Sequence, residues 1–304
     1  MQLSEERFAK ANGIELAYQE IGDPDGEPLL LVMGLATQMI AWDEEFCRQL
    51  AERGFRVVRF DNRDIGRSTK IEAAGVPNRI DMLSGRRSSA PYLLSDMAAD
   101  TVGLMDHLEI DSAHLVGASM GGMIVQTAAI EHPKRVRSLV SIMSTTGSRW
   151  VGFPTFKAFG VLLGTPPRSR DAAIERAFRT FSVIGSPAYP FDKEQIRRIA
   201  GTAYDRGHSS AGVARQLHAI TASGDRTRGL RGVEIPATVI HGDSDALVRP
   251  SGGRATAKAI PGARLKIIEG MGHDLPPKLW PTFVTEIAGT AARAVPVEQP
   301  ARSG

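Results

Sequence analysis

Three stretches of this chain carry side chains that could act together on a carbonyl carbon. The first is Gly117-Ala-Ser-Met-Gly121, which follows the apolar run Leu115-Val116 and opens a helical pattern that Pro133 stops after His132. That succession reads as strand, sharp turn, helix, with Ser119 at the apex. A turn this tight puts its central residue in sparsely populated backbone geometry, so residues two places away must be small, and Gly117 and Gly121 are. Ser119 is therefore the candidate nucleophile. A hydroxyl attacks poorly until a base takes its proton, and the base needs a third group to fix its tautomer.

Around a turn of this kind the partners follow in the chain order serine, acid, histidine. Of the seven histidines, only His273 lies beyond the strand that ends at His241. It sits in Gly270-Met-Gly-His-Asp274, directly after another strand, where flanking glycines let a loop carry the imidazole over the sheet edge. His107, His114, His132, His208 and His218 come too early or lie in helical patterns, and read as packing or surface residues. The acid belongs in the turn His241-Gly-Asp-Ser-Asp-Ala-Leu-Val248, where Asp243 and Asp245 both qualify. Asp245, further into the turn, can reach back across it; Asp243 is better placed to cap the turn. No Asp or Glu occurs between Ser144 and Arg170, which argues against an acid after the neighbouring strand. The developing oxyanion needs backbone N–H donors. Met120, just past the nucleophile, supplies one, and Leu35, after the apolar strand ending at Met33, supplies the other. The Asp-rich turn lacks the glycine and closing glutamate of a calcium loop. Neither a metal nor a cofactor is expected.

The elements that must position these groups alternate strand and helix. An Asn12-Gly13 hairpin opens the chain. Strands follow at Pro28–Met33, Phe55–Phe60, Leu115-Val116, Val136–Met143, Pro236–His241 and Arg264–Ile268. Helices are expected with Trp42, Phe46 and Leu50 on one face, from Leu94 to Leu108, after Ser119, and near Leu279–Ala291. This is the pattern of a doubly wound, mostly parallel α/β sheet. From Thr69 to Pro91 the composition turns polar, as a surface excursion. Residues 148–232 break the alternation with four helical stretches, around 156–163, 171–183, 192–204 and 210–222. They read as a helical cap inserted into a core made of residues 1–147 and 233–304. The tail, 292–304, is expected to fray.

Composition bounds the partners. Acidic and basic residues interleave at a net charge of +3, which gives no nucleic-acid surface. The one cysteine, Cys47, cannot form an internal disulfide and reads as helix packing. With no signal core at the N-terminus and no apolar run near 18 residues, a soluble cytoplasmic protein without a membrane span is expected.

With these residues in place, the chain resembles the α/β-hydrolase fold family over nearly its whole length. More narrowly, Leu31-Val-Met-Gly-Leu35 followed by Trp42, and Asp61-Asn-Arg-Asp-Ile-Gly-Arg-Ser68, look like the aclacinomycin methylesterases and related actinobacterial lipases and esterases. The resemblance implies an eight-stranded sheet and cofactor-free hydrolysis of carboxylic esters. It also implies Ser119, Asp245 and His273 as triad, with the Leu35 and Met120 amides as oxyanion donors. Many members have His-Gly where this chain has Met33-Gly34, so a histidine beside the oxyanion hole is absent. An elbow serine excludes the aspartate-nucleophile branches. The same triad would also serve a cofactor-free haloperoxidase or perhydrolase, or a thioesterase or acyltransferase; a binding protein without turnover is the remaining alternative. Of the cap's apolar residues, Phe153, Phe156, Phe159, Leu162, Leu163, Phe178, Phe181, Val183, Ile196, Leu217 and Ile220, some are expected to pack the cap on itself and the remainder to face Ser119 as an apolar roof. A small to medium, largely apolar ester is the expected substrate.

Overall fold

The computed structural model describes residues 1–294 except Leu163, Thr165 and Phe191. The tail from residue 295 and the expected roof residue Leu163 lie outside the described residues, as does the side chain of Leu162. Asn12 and Gly13 both take positive φ, 48° and 77°, and turn β1 (Arg7–Ala11) into β2 (Ile14–Ile21). β3 (Glu27–Val32), β4 (Phe55–Phe60), β5 (Ala113–Ala118), β6 (Val136–Ile142), β7 (Ala237–Gly242) and β8 (Arg264–Ile268) complete one eight-stranded sheet. Its order is β1-β2-β4-β3-β5-β6-β7-β8, and every pairing from β4 to β8 is parallel. The chain runs from β3 outward to β4 on one side and returns to β5 on the other. Such a reversal leaves a crevice at the carboxyl ends of the two central strands, the usual place for a site in open α/β sheets.

The apolar runs of β3 and β5 are continuous because both faces are covered. Leu30, Val32 and Leu115 point into the layer formed with α3 (Leu94–His107) and α4 (Met120–Glu131). Leu29, Leu31 and Val116 point the other way, toward α1 (Glu44–Ala51) and α11 (Trp280–Ala291). Trp42 is fully buried there but lies ahead of α1, not within it. Asp43 starts the helix after Trp42 by accepting the Glu45 N–H at 2.9 Å, an N-cap that outweighs the apolar spacing, while the Trp42 ring still stacks on Phe46.

The polar excursion holds a short helix, α2 (Arg79–Ser84), which packs beside the segment between β6 and β7: Thr221 donates to the Met82 carbonyl at 2.6 Å. Between β6 and β7 the chain builds α5 (Phe156–Leu162), α6 (Arg170–Ile184), α7 (Lys193–Arg206), α8 (Ser210–Ser223) and the single turn α9 (Thr227–Leu230). The four expected helices are present. α10 (Ser251–Ala259) was not expected, because Gly252 and Gly253 each disfavour a helix by about 1 kcal/mol. Tertiary packing decides otherwise: a Cβ on Gly253 would stand 2.4 Å from the His241 ring. Among the described residues no helix is long and apolar enough to cross a membrane.

Candidate active site

Ser119 joins β5 to α4 with φ 55° and ψ −118°, a conformation costing a side-chain-bearing residue about 1–3 kcal/mol. The glycines around it are there for proximity. A Cβ on Gly117 would lie 2.2 Å from the Gly121 carbonyl oxygen, and one on Gly121 would lie 2.0 Å from that of Val32. The backbone is held on both sides: the Ser119 N–H donates to Ile142 at 2.9 Å, and the Ser144 hydroxyl donates to the Ser119 carbonyl at 2.7 Å.

Loops after β7 and β8 bring two further residues to this hydroxyl. His273 Nε2 stands 2.9 Å from Ser119 Oγ, and His273 Nδ1 stands 2.7 Å from Asp245 Oδ2. The other carboxylate oxygen, Oδ1, accepts the N–H groups of Leu247 and Val248, both at 2.9 Å, so Asp245 folds back over its own turn. Burial alone would push the Asp245 carboxyl up. The His273 charge and the hydrogen bonds from His241 and His273 override that and hold it well below the usual carboxylate range. Asp243 does cap: it accepts the Ser244 hydroxyl at 2.9 Å and the Gly270 N–H at 2.8 Å, tying the two loops together.

Two further groups frame this set without having been singled out from the sequence. His241, fully buried, donates from Nε2 to the Val248 carbonyl at 2.7 Å, and the same atom lies 3.4 Å from Asp245 Oδ2. The segment after α6 grips the histidine loop. The His273 N–H donates to Ile184 at 2.7 Å, the Gly272 N–H donates to Ser186 Oγ at 2.8 Å, and the Ser186 N–H and hydroxyl both donate to the Asp274 carboxylate.

The loop after β3 passes close to the serine: a Cβ on Gly34 would be 3.1 Å from Ser119 Cβ. Three consecutive peptides of this loop are fixed. The Met33 carbonyl accepts Asn62 Nδ2 at 2.9 Å. The Gly34 carbonyl accepts the Thr37 N–H at 3.3 Å, which turns the Leu35 N–H of the same trans peptide the opposite way. The Leu35 carbonyl accepts the Thr37 hydroxyl at 3.0 Å, and the Ala36 N–H donates to Gln216 Oε1 at 3.1 Å. Among the described residues, the N–H groups of Leu35 and Met120 meet no acceptor.

Gln216 belongs to α8. Its Nε2 also donates to the Arg63 carbonyl at 2.8 Å, and its neighbour Arg215 grips Asp64 with two bonds of 2.8 and 2.6 Å. The Asp61-Asn-Arg-Asp64 stretch is thus a buried junction. Asp61 accepts the Met39 N–H at 2.7 Å, Asn62 holds Met33, Arg63 pairs with Asp100 on α3, and Asp64 reaches α8.

The expected apolar roof is only partly present. Phe156 is 99% exposed and covers nothing, and Phe153 and Phe159 also reach solvent. Phe178, Phe181, Val183 and Ile196 line a cavity of about 760 Å³ between α6 and α7 that touches Asp274 and Ser244 but, among its described walls, not Ser119. Ile220 packs against the core. On α5 and α6 the buried positions are held by Ala158, Ile174 and Ile184, not by the rings.

The eight-stranded fold and the serine at its central crevice accompany a match over residues 27–277 to the model of the alpha/beta hydrolase fold family, and the chain belongs to that family. Its sequence is 28% identical over 291 residues to a rhodomycin D methylesterase of Streptomyces sp. (strain C5), covering 89% of this chain and 92% of that protein. The fold is similar to that of the esterase RhEst1 from Rhodococcus sp. ECU1013, with a TM-score of 0.73 and 21% identity over 96% of this chain and 100% of the other. It is also similar to an enol-lactonase from Burkholderia xenovorans LB400, with a TM-score of 0.72 and 23% identity over 94% and 100% of the two chains.

Proposed function

We propose that this chain hydrolyses carboxylic esters through an acyl-enzyme. Ser119 Oγ attacks the ester carbonyl while His273 Nε2 takes its proton. Asp245 holds the imidazole with Nδ1–H toward it and stabilises the imidazolium. The tetrahedral oxyanion lies against the Leu35 and Met120 amides. As it collapses, His273 returns the proton to the leaving alcohol, and the acyl group stays on Ser119. His273 then deprotonates a water that attacks the acyl carbonyl, and Ser119 leaves with that proton. The observation that carries the reading is the continuous line Ser119 Oγ–His273 Nε2, 2.9 Å, and His273 Nδ1–Asp245 Oδ2, 2.7 Å. No step calls for a metal or cofactor. The similarity to a methylesterase supports an ester as the bond cleaved.

The substrate is proposed to be a small to medium, largely apolar ester; Phe178, Phe181, Val183 and Ile196, which line the cavity beside Asp274, support an apolar part. Residues 148–232 are proposed as a cap over a core of 1–147 and 233–304, and the cytoplasm as the enzyme's location. An active-site phosphonate tests the chemistry. It should label the protein once, at Ser119, and Ser119→Ala should lose about 10⁴-fold or more of its activity on p-nitrophenyl esters. Labelling elsewhere, or full activity in that variant, would overturn the assignment.

A further inference from the structure

The segment that leaves β6 carries four aromatic rings in a row that the triad does not use. Trp150, Phe153, Phe156 and Phe159 are 85%, 58%, 99% and 41% exposed. Their spacing is three, and between them the strap is tied to the protein at Gly152, Thr155 and Ala158, while Lys157 is exposed with the rings. The Gly152 N–H donates to Ser251 Oγ at 3.0 Å, the Thr155 N–H donates to the Ala246 carbonyl at 2.9 Å, and Ala158 is fully buried. The strap is therefore fastened to the Asp245 turn and to α10 along one edge, and the rings stand on the other. Aromatic rings in water are costly to maintain. A contiguous exposed group of this kind marks a surface that something covers.

Charge indicates what covers it. From residue 148 to residue 170 there is no Asp or Glu, but there are Arg149, Lys157, Arg168 and Arg170. Arg170 pairs with Asp205; among the described residues, Arg149, Lys157 and Arg168 have no acidic partner, and all three are exposed. Rings that bury best at a lipid–water boundary, interleaved with unpaired cations, match a surface that is apolar beneath and anionic on top. We propose that the ridge Trp150–Phe159, with Arg149 and Lys157, is an adsorption surface for anionic phospholipid bilayers. The rings enter the headgroup and acyl boundary, and the cations meet the phosphates. A purely apolar partner would leave the cations without counter-charge. The proposal stands apart from the ester-hydrolase reading, because no residue of the ridge belongs to the proposed catalytic set.

The intact protein carries its own reporter. Of its three tryptophans, Trp42 and Trp280 are buried, so a change in emission on binding comes from Trp150. Vesicles of phosphatidylglycerol mixed with phosphatidylcholine should shift the emission to the blue and carry the protein down on sedimentation. Pure phosphatidylcholine should do so far less, and raised salt should release the bound protein. Arg149→Gln with Lys157→Gln should weaken partitioning about tenfold or more. Phe156→Ala should weaken it without changing the rate on a water-soluble ester. Trp150→Phe should keep the sedimentation and lose the spectral shift. The proposal is overturned by equal binding to neutral and anionic vesicles, or by no binding to either. It is equally overturned if the emission shifts with protein concentration alone, which would assign the ridge to a second copy, or with a soluble apolar ester, which would assign it to substrate.

Discussion

Gln216 accepts the backbone N–H of Ala36 from a helix 180 residues further along the chain, and in doing so sets the peptide next to Leu35. Ala36 itself sits at φ 59°, a left-handed conformation that an alanine does not hold unaided. Replacing Gln216 by Met keeps the bulk and removes both hydrogen bonds. The Leu35 amide then loses its alignment, and kcat should fall by roughly 10–100-fold while KM changes little, less than the full loss of an oxyanion donor. A raised KM with kcat intact would detach Gln216 from the oxyanion loop.

The two aspartates of the β7 turn should separate sharply. Asp245→Asn should cost on the order of 10³–10⁴ in rate, because the amide presents a donor where His273 Nδ1–H needs an acceptor. Asp243→Asn touches only the Ser244 hydroxyl and the Gly270 N–H, and should cost far less. Steady-state rates on one ester, with circular dichroism to verify folding, decide it; the opposite ranking would exchange the two roles.

Arg215 and Asp64 are both almost wholly buried, and Tyr92 adds a third bond to the carboxylate at 2.7 Å. Arg215→Met leaves that carboxylate in the interior without its cation and should destabilise the protein by about 3–5 kcal/mol in urea unfolding. A change under 1 kcal/mol would mean that the pair is dispensable to the fold.

Burial opposes the charge on Asp64, but the hydrogen bonds from Arg215 and Tyr92 prevail and hold its carboxyl below the usual range. A depressed carboxyl contributes stability above its unfolded value, near 4, and loses it as the pH falls toward the folded value. The stability gap between the wild type and Asp64→Asn should accordingly be constant from pH 7 to 5. Below pH 4 it should narrow by up to about 1.4 kcal/mol per pH unit. A gap independent of pH down to 2 would contradict this.

Cys47 offers a negative control. Burial pushes its thiol up to about 12, so the native enzyme should neither react with an aromatic disulfide reagent nor lose activity to it. One thiol should appear on unfolding. Inactivation of the native protein by a thiol reagent would place a reactive sulfur in the mechanism.

Much of this site was legible because its residues sit in local patterns. The glycines around Ser119, the glycines around His273 and the Asp-containing turn each mark a strand's carboxyl end, and the chain-order rule joins them. Gln216 and His241 carried no such mark, and Asn62 lay in a motif that names a family without showing its task. Each is one polar residue in an otherwise ordinary helix, strand or loop, and its task is defined only by the distant backbone it reaches. The glycine pair in α10 is set in the same way by a distant group, since Gly253 answers to the His241 ring and not to helix propensity. Apolarity alone does not say which aromatic residues of 148–232 turn inward: Phe153, Phe156 and Phe159 face solvent while Ala158, on the same helix as Phe156 and Phe159, is buried.

The insertion of α5–α9 between β6 and β7 also divides the chain in time. Six strands, the serine and both proposed oxyanion amides lie ahead of it. The acid and the base arrive on the last two strands at one edge of the sheet, and His273 closes on Ser119 across 154 residues. Long closures of that kind are made late, after local contacts have offset part of their entropic cost. During synthesis, six strands and the serine therefore emerge before either the acid or the base. Reactivity toward a phosphonate requires β7 and β8 in place, so it reports their docking.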